Sequence, residues 1–214
     1  MEHSDLARMR HEYADAGIDE AGIGADPVPV VQRWLDEAVA AGVHEPNAMA
    51  LATATPDGRP SVRIVLLKGF DDRGLVFFTG YGSRKGLELE ANPHAAATLL
   101  WHELQRQVRV EGTVTRVSPD ESDAYFASRP RGSQISAVAS PQSLPVADRA
   151  ELDQRRSEIE ELFADRDVER PDGWGGYRIA LDTVELWQGR SSRFHDRLRF
   201  TFAGDGWTSE RLAP

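Results

Sequence analysis

From Met49 onward the pattern of apolar and polar positions changes to that of strands, whose side chains alternate with a period of two: MALATAT (49–55) and SVRIVLLK (61–68), with PDGRP between them. That period puts successive side chains on opposite faces of a strand, and Asp57-Gly58 supplies the turn of a hairpin. Asp71-Asp72-Arg73-Gly74 forms a second turn into LVFFT (75–79). Three antiparallel strands in quick succession predict a meander or barrel rather than βαβ units. Further strands are expected over Ala95–His102 and Arg106–Val117. In the second, Val108, Val110 and Val114 face one side and Gln107, Arg109 and Glu111 the other. GWGGYRIAL (173–181) and TVELWQ (183–188) return to strand character. RLRFTF, the turn Gly204-Asp205-Gly206 and WTSERLAP close the chain as a hairpin.

Helical spacing appears around these strands. A short helix is expected over Leu6–Ala16, and residues 1–26 read as a separate N-terminal segment, either mobile or acting as a flap. PVPVVQRWLDEAVAA (27–41) places Val31, Trp34, Leu35 and Val39 on one face, with Gly42 as the stop. Ser83 caps a short helix that ends at Asn92-Pro93, and Ser118-Pro119-Asp120-Glu121 has the capping-box spacing with proline at the first helical position. Ala147–Ala164 is a polar, solvated helix. No repeat, low-complexity tract or linker interrupts residues 27–214, which read as one domain.

Composition removes several kinds of chemistry. The 214 residues include no cysteine, so disulfides, thiolate nucleophiles and cysteine-held metals are excluded. No G-x-G-x-x-G or G-x-x-x-x-G-K-[ST] follows a strand, so dinucleotide and P-loop folds have no support. MEHSDLARMRHEY lacks the apolar stretch of a signal peptide and no later run reaches membrane-spanning length, so a cytoplasmic protein without a membrane partner is expected. The net charge of −10 opposes nucleic-acid binding. That charge is uneven: residues 1–60 carry eleven acidic and four basic side chains, residues 61–140 nine and ten, so an anionic ligand must be held by a local cluster.

Two clusters qualify. Arg84 and Lys85 stand in a first helical turn, where cations oppose the macrodipole; an anion at that helix end would explain them, as would a solvated surface pair. WQGRSSRFHDR (187–197) gathers Arg190, Arg193, His195 and Arg197. If this stretch is extended, Arg193, His195 and Arg197 share one face and form a wall suited to an anionic, planar ligand. Arginine forks match phosphate oxygens and do not ligate metals, and no metal is expected. A basic edge strand that discourages sheet-to-sheet pairing is the alternative. The small and hydroxyl residues of RGSQISAVASPQS (131–143) suit close backbone approach to a ligand.

RIVLLK (63–68), FFTGYGSRK (77–85), RQVRVEG (106–112), YFASRPRGSQIS (125–136), PQS (141–143), WGGYRI (174–179), WQGR…RFHDR (187–197) and the terminal RLAP (211–214) occur in one order. Together they resemble the pyridoxine/pyridoxamine 5′-phosphate oxidase family. The resemblance implies a mainly β fold, an antiparallel FMN-binding split barrel with surrounding helices, working as a homodimer with FMN at the subunit interface. It implies oxidation of pyridoxine or pyridoxamine 5′-phosphate to pyridoxal 5′-phosphate, with O2 as acceptor and hydrogen peroxide as product. Carried over by position, Arg63, Lys68, Phe78, Thr79, Arg84, Lys85, Gln107, Gln142, Ser143, Trp187 and Arg197 would bind the flavin. Arg10, Tyr13, Lys68, Tyr125, Arg129, Ser133, Arg193 and His195 would bind the substrate, with Arg193 and His195 nearest the chemistry. His195 would accept a proton or only orient the ring. Phe78 stands where the family commonly has tyrosine, and Val138 where it often has a bulkier aromatic. Arg63 and Lys68 are five apart, so a regular strand would send them to opposite faces; a bulge, or a ligand gripped from both subunits, would reconcile them. Two other readings are a split-barrel oxidoreductase using flavin or deazaflavin on a different substrate, and a non-catalytic flavin- or pyridoxal-phosphate-binding protein.

Overall fold

A computed structural model describes residue 13, residues 17–19 and residues 22–214. The candidate residue Arg10 and, apart from Tyr13, the helix expected over Leu6–Ala16 therefore lie outside the described residues. The chain groups into two compact units. One contains residues 1–49, 97–110 and 182–214; the other contains residues 50–96 and 111–181.

In the first unit, helix α1 (Val28–Ala40) buries Val30, Val31, Trp34 and Ala38. The expected stripe through Val39 is displaced, because Val39 is 60% exposed and Ala38 fully buried. A stripe at i, i+4 and i+8 from Val30 ends on Ala38, whose small side chain permits close approach. The helix stops as Gly42 predicts: Gly42 has φ 70°, its N–H donates to Val39 O, and Val43 N donates to Ala38 O. That is the bond pattern of a left-handed helix cap. Strands β8 (Thr183–Gln188), β9 (Asp196–Phe202) and β10 (Trp207–Arg211) pair antiparallel, with Trp187 opposite Arg197 and Leu186 opposite Leu198. Val184, Leu186, Leu198 and Phe200 form the buried side of these strands.

In the second unit, β2 (Pro60–Leu66) follows the hairpin turn at Gly58, whose φ is 83°. β3 (Gly69–Asp71) and β7 (Trp174–Ile179) both pair antiparallel with β4 (Gly74–Gly80). Phe78 lies opposite Gly176, where a Cβ would come within 2.7 Å of the Phe78 ring. The glycine thus lets an aromatic ring lie flat on the neighbouring strand. β1 (Ala48–Ala54), β5 (His94–Trp101) and β6 (Arg106–Arg116) each have residues in both units; Val108, Val110 and Val114 are buried, as the alternation predicts.

Four helices belong to the second unit. α2 (Arg84–Ala91) and α3 (Pro119–Ser128) begin at the expected caps, with Ser83 accepting from Gly86 N and Ser118 from Glu121 N. α4 (Arg131–Ala139) follows Pro130. α5 (Arg149–Leu162) buries no residue and carries i,i+4 ion pairs such as Arg155–Glu151, in keeping with a solvated helix.

Candidate active site

β2 and α2 bring the second unit's cations together. Arg63 Nη1 donates to Thr53 Oγ1 at 2.6 Å and to Leu51 O at 3.2 Å, while Nη2 donates to Ser61 Oγ at 2.5 Å. Arg84 Nε donates to Glu88 Oε1 at 2.9 Å. Lys85 is turned inward and only 7% exposed, and its ammonium donates to Thr79 Oγ1 at 3.0 Å and Ser83 Oγ at 3.3 Å. Gln142 Oε1 accepts from Thr79 Oγ1 and from Gly80 N, which ties the 141–143 segment to the same group. Ser143 follows with φ 71°.

Glu88, absent from the sequence reading of the site, lies at the centre of this cluster. Its carboxylate is 5% exposed and accepts from Thr53 Oγ1 and Ser61 Oγ at 2.5 Å each, and from Arg63 Nη2 at 3.4 Å. Burial alone would raise its pKa, but bonds from Ser61, Thr53, Arg84 and Arg63 outweigh burial and bring it down to about 2. Lys85 has no such partner. Burial, with a smaller push from Arg63, lowers its pKa, and among the described residues its hydrogen-bond partners are two neutral hydroxyls. A buried ammonium without a carboxylate fits an anionic ligand, which is what the phosphate of FMN requires.

Lys68 stands apart from that group. β2 ends at Leu66, and Lys68 N donates to Val76 O as the chain enters β3. The strand break, not a bulge, removes the constraint that would set Arg63 and Lys68 on opposite faces. Lys68 is exposed and makes no side-chain hydrogen bond or ion pair among the described residues.

Beyond the cations lies an aromatic slab. Phe78 stacks on Tyr125 with centroids 3.9 Å apart and planes 17° apart, and on Trp174 at 5.7 Å and 15°. The Arg129 guanidinium sits 4.7 Å from the Trp174 ring centroid, and its Nη1 is buried without a hydrogen-bond partner among the described residues. An orphaned buried guanidinium N–H is costly unless a ligand accepts from it. Phe78, Thr79, Ser83, Arg129, Val138, Gln142 and Trp174 are among the residues lining a cavity of about 560 Å³ beside it. Burial raises the Tyr125 pKa, partly offset by the Arg129 charge. Ser133 lies in the first turn of α4, the helix that follows Arg129 and Pro130.

The first unit holds the other candidates. WQGRSSRFHDR is not extended throughout: Ser191–Arg193 forms a 3₁₀ turn, with φ 55° at Ser192 and 60° at Arg193. The expected single wall of Arg193, His195 and Arg197 is therefore broken, because the chain reverses before β9 begins at Asp196. Arg193 is exposed, without a hydrogen bond or ion pair among the described residues. Arg197 is fully engaged, with Nε and Nη2 on the two oxygens of Glu185 at 2.9 and 3.1 Å and Nη1 on Ala213 O at 3.0 Å. Gln107 stands at the start of β6, one residue after Arg106, whose Nε donates to Gln188.

His195 packs against Trp187 with ring centroids 4.7 Å apart and against Tyr13 at 5.6 Å. The Arg190 N–H donates to His195 Nδ1 at 3.1 Å. Since Nδ1 accepts, the neutral ring carries its proton on Nε2. Burial, then the Arg193 charge, lowers its pKa and favours that neutral form. Next to it Asp196 is buried, accepting from Ile18 N at 2.9 Å and from the Arg190 and Arg211 guanidinium groups. Glu88, Glu185 and Asp196 share one reason for escaping the sequence reading. Each is an ordinary acidic residue until distant arginines close on it.

Residues 35–163 match the family profile described as pyridoxamine 5′-phosphate oxidase, and residues 174–214 match the pyridoxine 5′-phosphate oxidase C-terminal dimerisation region. A pyridoxine/pyridoxamine 5′-phosphate oxidase of Rubrobacter xylanophilus is 58% identical over 210 residues, covering 98% of this chain and 97% of that protein. The Burkholderia multivorans protein of the same name is 54% identical over 212 residues, covering 98% and 99%. Among solved structures, PhzG from Burkholderia lata, in complex with tetrahydrophenazine-1-carboxylic acid, superposes with a TM-score of 0.88 at 35% identity, covering 94% of this chain and 99% of that one. A pyridoxamine 5′-phosphate oxidase-related, FMN-binding protein of Nostoc punctiforme shares the fold, with a TM-score of 0.69 at 17% identity over 88% of this chain and 98% of that one. The mainly β, antiparallel split-barrel architecture is thereby established, and with full-length relatives above half identity the chain belongs to the pyridoxine/pyridoxamine 5′-phosphate oxidase family.

Proposed function

We propose that this protein is an FMN-dependent oxidase that converts pyridoxine 5′-phosphate and pyridoxamine 5′-phosphate to pyridoxal 5′-phosphate, reducing O2 to hydrogen peroxide. The observation that carries this reading is the presence of two sets of anion-seeking cations in the second unit. One is the Arg63, Arg84 and Lys85 group; the other is Arg129, with its orphaned Nη1 beside the aromatic slab. Two phosphate esters, one on the cofactor and one on the substrate, would use both. FMN, when bound, supplies the two-electron acceptor.

The chain's own residues do the rest. Arg63, Arg84 and Lys85 hold the cofactor phosphate, with Thr79, Gln142 and Ser143 along the same wall. Phe78, Gln107, Trp187 and Arg197 complete the cofactor set. Arg129 holds the substrate phosphate with Lys68, Tyr125 and Ser133; Tyr13 is a further substrate-binding candidate, as is Arg10, which lies outside the described residues. Arg193, exposed and unpaired among the described residues, is available to a ligand. His195 presents Nε2–H and orients the substrate by donating a hydrogen bond; its Nδ1 is already occupied by the Arg190 N–H.

A second reading has one observation in its favour: PhzG, 35% identical, was solved with tetrahydrophenazine-1-carboxylic acid. The higher identity to the pyridoxine/pyridoxamine 5′-phosphate oxidases favours the first. Oxygen uptake by the FMN-loaded protein tests both. Turnover of the two phosphate esters is expected, with little or none of tetrahydrophenazine-1-carboxylic acid; the reverse preference would replace our assignment.

The working form is a homodimer. Val62 and Ile64 on β2 are 69% and 65% exposed, an apolar pair that a second subunit would cover. Light scattering should give twice the 23.7 kDa chain mass. Val62→Asp with Ile64→Asp should shift the protein toward monomer and weaken its hold on FMN. A monomeric wild type with one FMN per chain would contradict the dimer.

A further inference from the structure

We propose that Glu88 is a positioning residue of the phosphate clamp, its buried carboxylate holding Arg63 and Arg84 where the cofactor phosphate meets them. The inference deepens the FMN reading and rests on it. Glu88 lies one turn after Arg84 on α2, a spacing that ordinarily gives a solvated pair of little consequence. Here the carboxylate is 5% exposed while Arg84 is 63% exposed, so the pair is anchored at its acidic end. Arg84 Nε is fixed, and its Nη1 and Nη2 are left without a protein partner among the described residues.

The bonds around Arg63 depend on Glu88 through a proton count. A hydroxyl has one proton to donate. Thr53 and Ser61 each donate theirs to Glu88 Oε2, so toward Arg63 they can only accept. Arg63 Nη1 and Nη2 donate to those same two oxygens. Carboxylate, hydroxyls and guanidinium form a closed ring in which the anion dictates which way every proton points. Without Glu88 both hydroxyl protons are released, and each can turn toward the guanidinium that it now braces. The tight packing of α2 keeps Glu88 in register: a Cβ on Gly86 would lie 2.2 Å from Tyr81 O, so the helix sits directly on the preceding turn.

Charge balance points the same way. Arg63, Arg84 and Lys85 carry three positive charges and Glu88 one negative. The remainder suits a phosphate monoester, which carries about −1.5 to −2 at neutral pH. The carboxylate stays ionised far into acid, so this balance holds across the working range.

Electrostatics alone and positioning predict opposite signs. Removing a negative charge beside a phosphate site should tighten phosphate binding by Coulomb's law. Removing a positioning group should weaken it. The test is titration of the apoprotein with FMN and with riboflavin, the same ring without the phosphate, followed by flavin fluorescence. Glu88→Ala is expected to weaken FMN about 10- to 100-fold while leaving riboflavin within about twofold. Glu88→Gln keeps the side-chain shape and guards against a folding failure; it should move FMN affinity the same way, by about three- to tenfold. Glu90→Gln is the control on the same helix. It removes the charge that strengthens the bonds accepted from Tyr177 and Arg116, and should lower the melting temperature without changing FMN affinity. Unchanged or tighter FMN binding by Glu88→Gln would overturn the proposal, as would equal losses for FMN and riboflavin. A wild type that binds neither flavin would instead overturn the FMN reading itself.

Discussion

Arg84→Ala combined with Lys85→Ala is expected to yield a colourless protein whose activity returns in part when FMN is added in excess. Hydrogen bonds from charged donors are worth about 1.5–3 kcal/mol each, so losing two should weaken FMN roughly 100- to 20,000-fold. Lys85 contributes more than an exposed lysine would. Its ammonium is already desolvated and held by Thr79 and Ser83, so little ordering remains to be done when a phosphate arrives. Its lowered pKa adds a pH signature. Phosphate binding favours the charged ammonium, so the apoprotein takes up a proton on binding once the pH exceeds its depressed value. FMN affinity should therefore begin to fall at a pH below the ordinary lysine value of 10.5. The double variant should lose that alkaline dependence along with most of its affinity. Fluorescence titration against pH measures both; a double variant that purified yellow with stoichiometric FMN would show that the clamp lies elsewhere.

Arg193→Leu should do the converse, keeping its flavin and losing turnover. The guanidinium is exposed and unpaired among the described residues, so its removal leaves no buried partner stranded. One charged donor toward the substrate is worth about 1.5–3 kcal/mol, or roughly a 10- to 150-fold fall in kcat/KM if it acts in the transition state. His195→Asn should cost less. Because Nδ1 accepts from the Arg190 N–H, the neutral ring can offer the substrate only a donor, and the asparagine amide still has an N–H to offer. Its lowered pKa means that the ring becomes cationic only below the ordinary value of 6.5. The kcat/KM profile should therefore be flat above that value, and nitrogen-15 NMR should find the proton on Nε2. A base-catalysis limb that vanished in His195→Asn would instead make the ring a proton acceptor. Loss of flavin by Arg193→Leu, with full activity in excess FMN, would reverse the division between the two groups of residues.

Much of the local structure follows from near neighbours. Gly58, Gly74 and Gly204 adopt the positive φ that their turns demand, and each lies at an expected hairpin. Ser83 and Ser118 cap the helices they precede because a hydroxyl can satisfy N–H groups that the first turn leaves unpaired. The alternation of Val108, Val110 and Val114 told which face of β6 is buried, since a period of two leaves no other choice. The ordered motifs from RIVLLK to RLAP identified the family, because eight short matches in one order constrain far more than any one of them.

What the sequence could not decide is how charges and rings would be paired over long separations. Glu88 drew no notice in the sequence, and only the approach of Thr53, Ser61 and Arg63 makes it a buried centre. Phe78 and Tyr125 stack, and Arg129 covers Trp174, across separations of more than forty residues that no periodicity encodes. The reversal at Ser192 and Arg193 carries no glycine to announce it; Arg190 N to His195 Nδ1 and Phe194 N to Ser191 O bridge it. Sequence by itself determined the turns, the caps and the buried faces of strands, because those depend on dihedral preference and spacing within a few residues. Tertiary structure alone decided which cations are neutralised and which are left for a ligand, because a buried charge is settled only by the partners that folding brings to it.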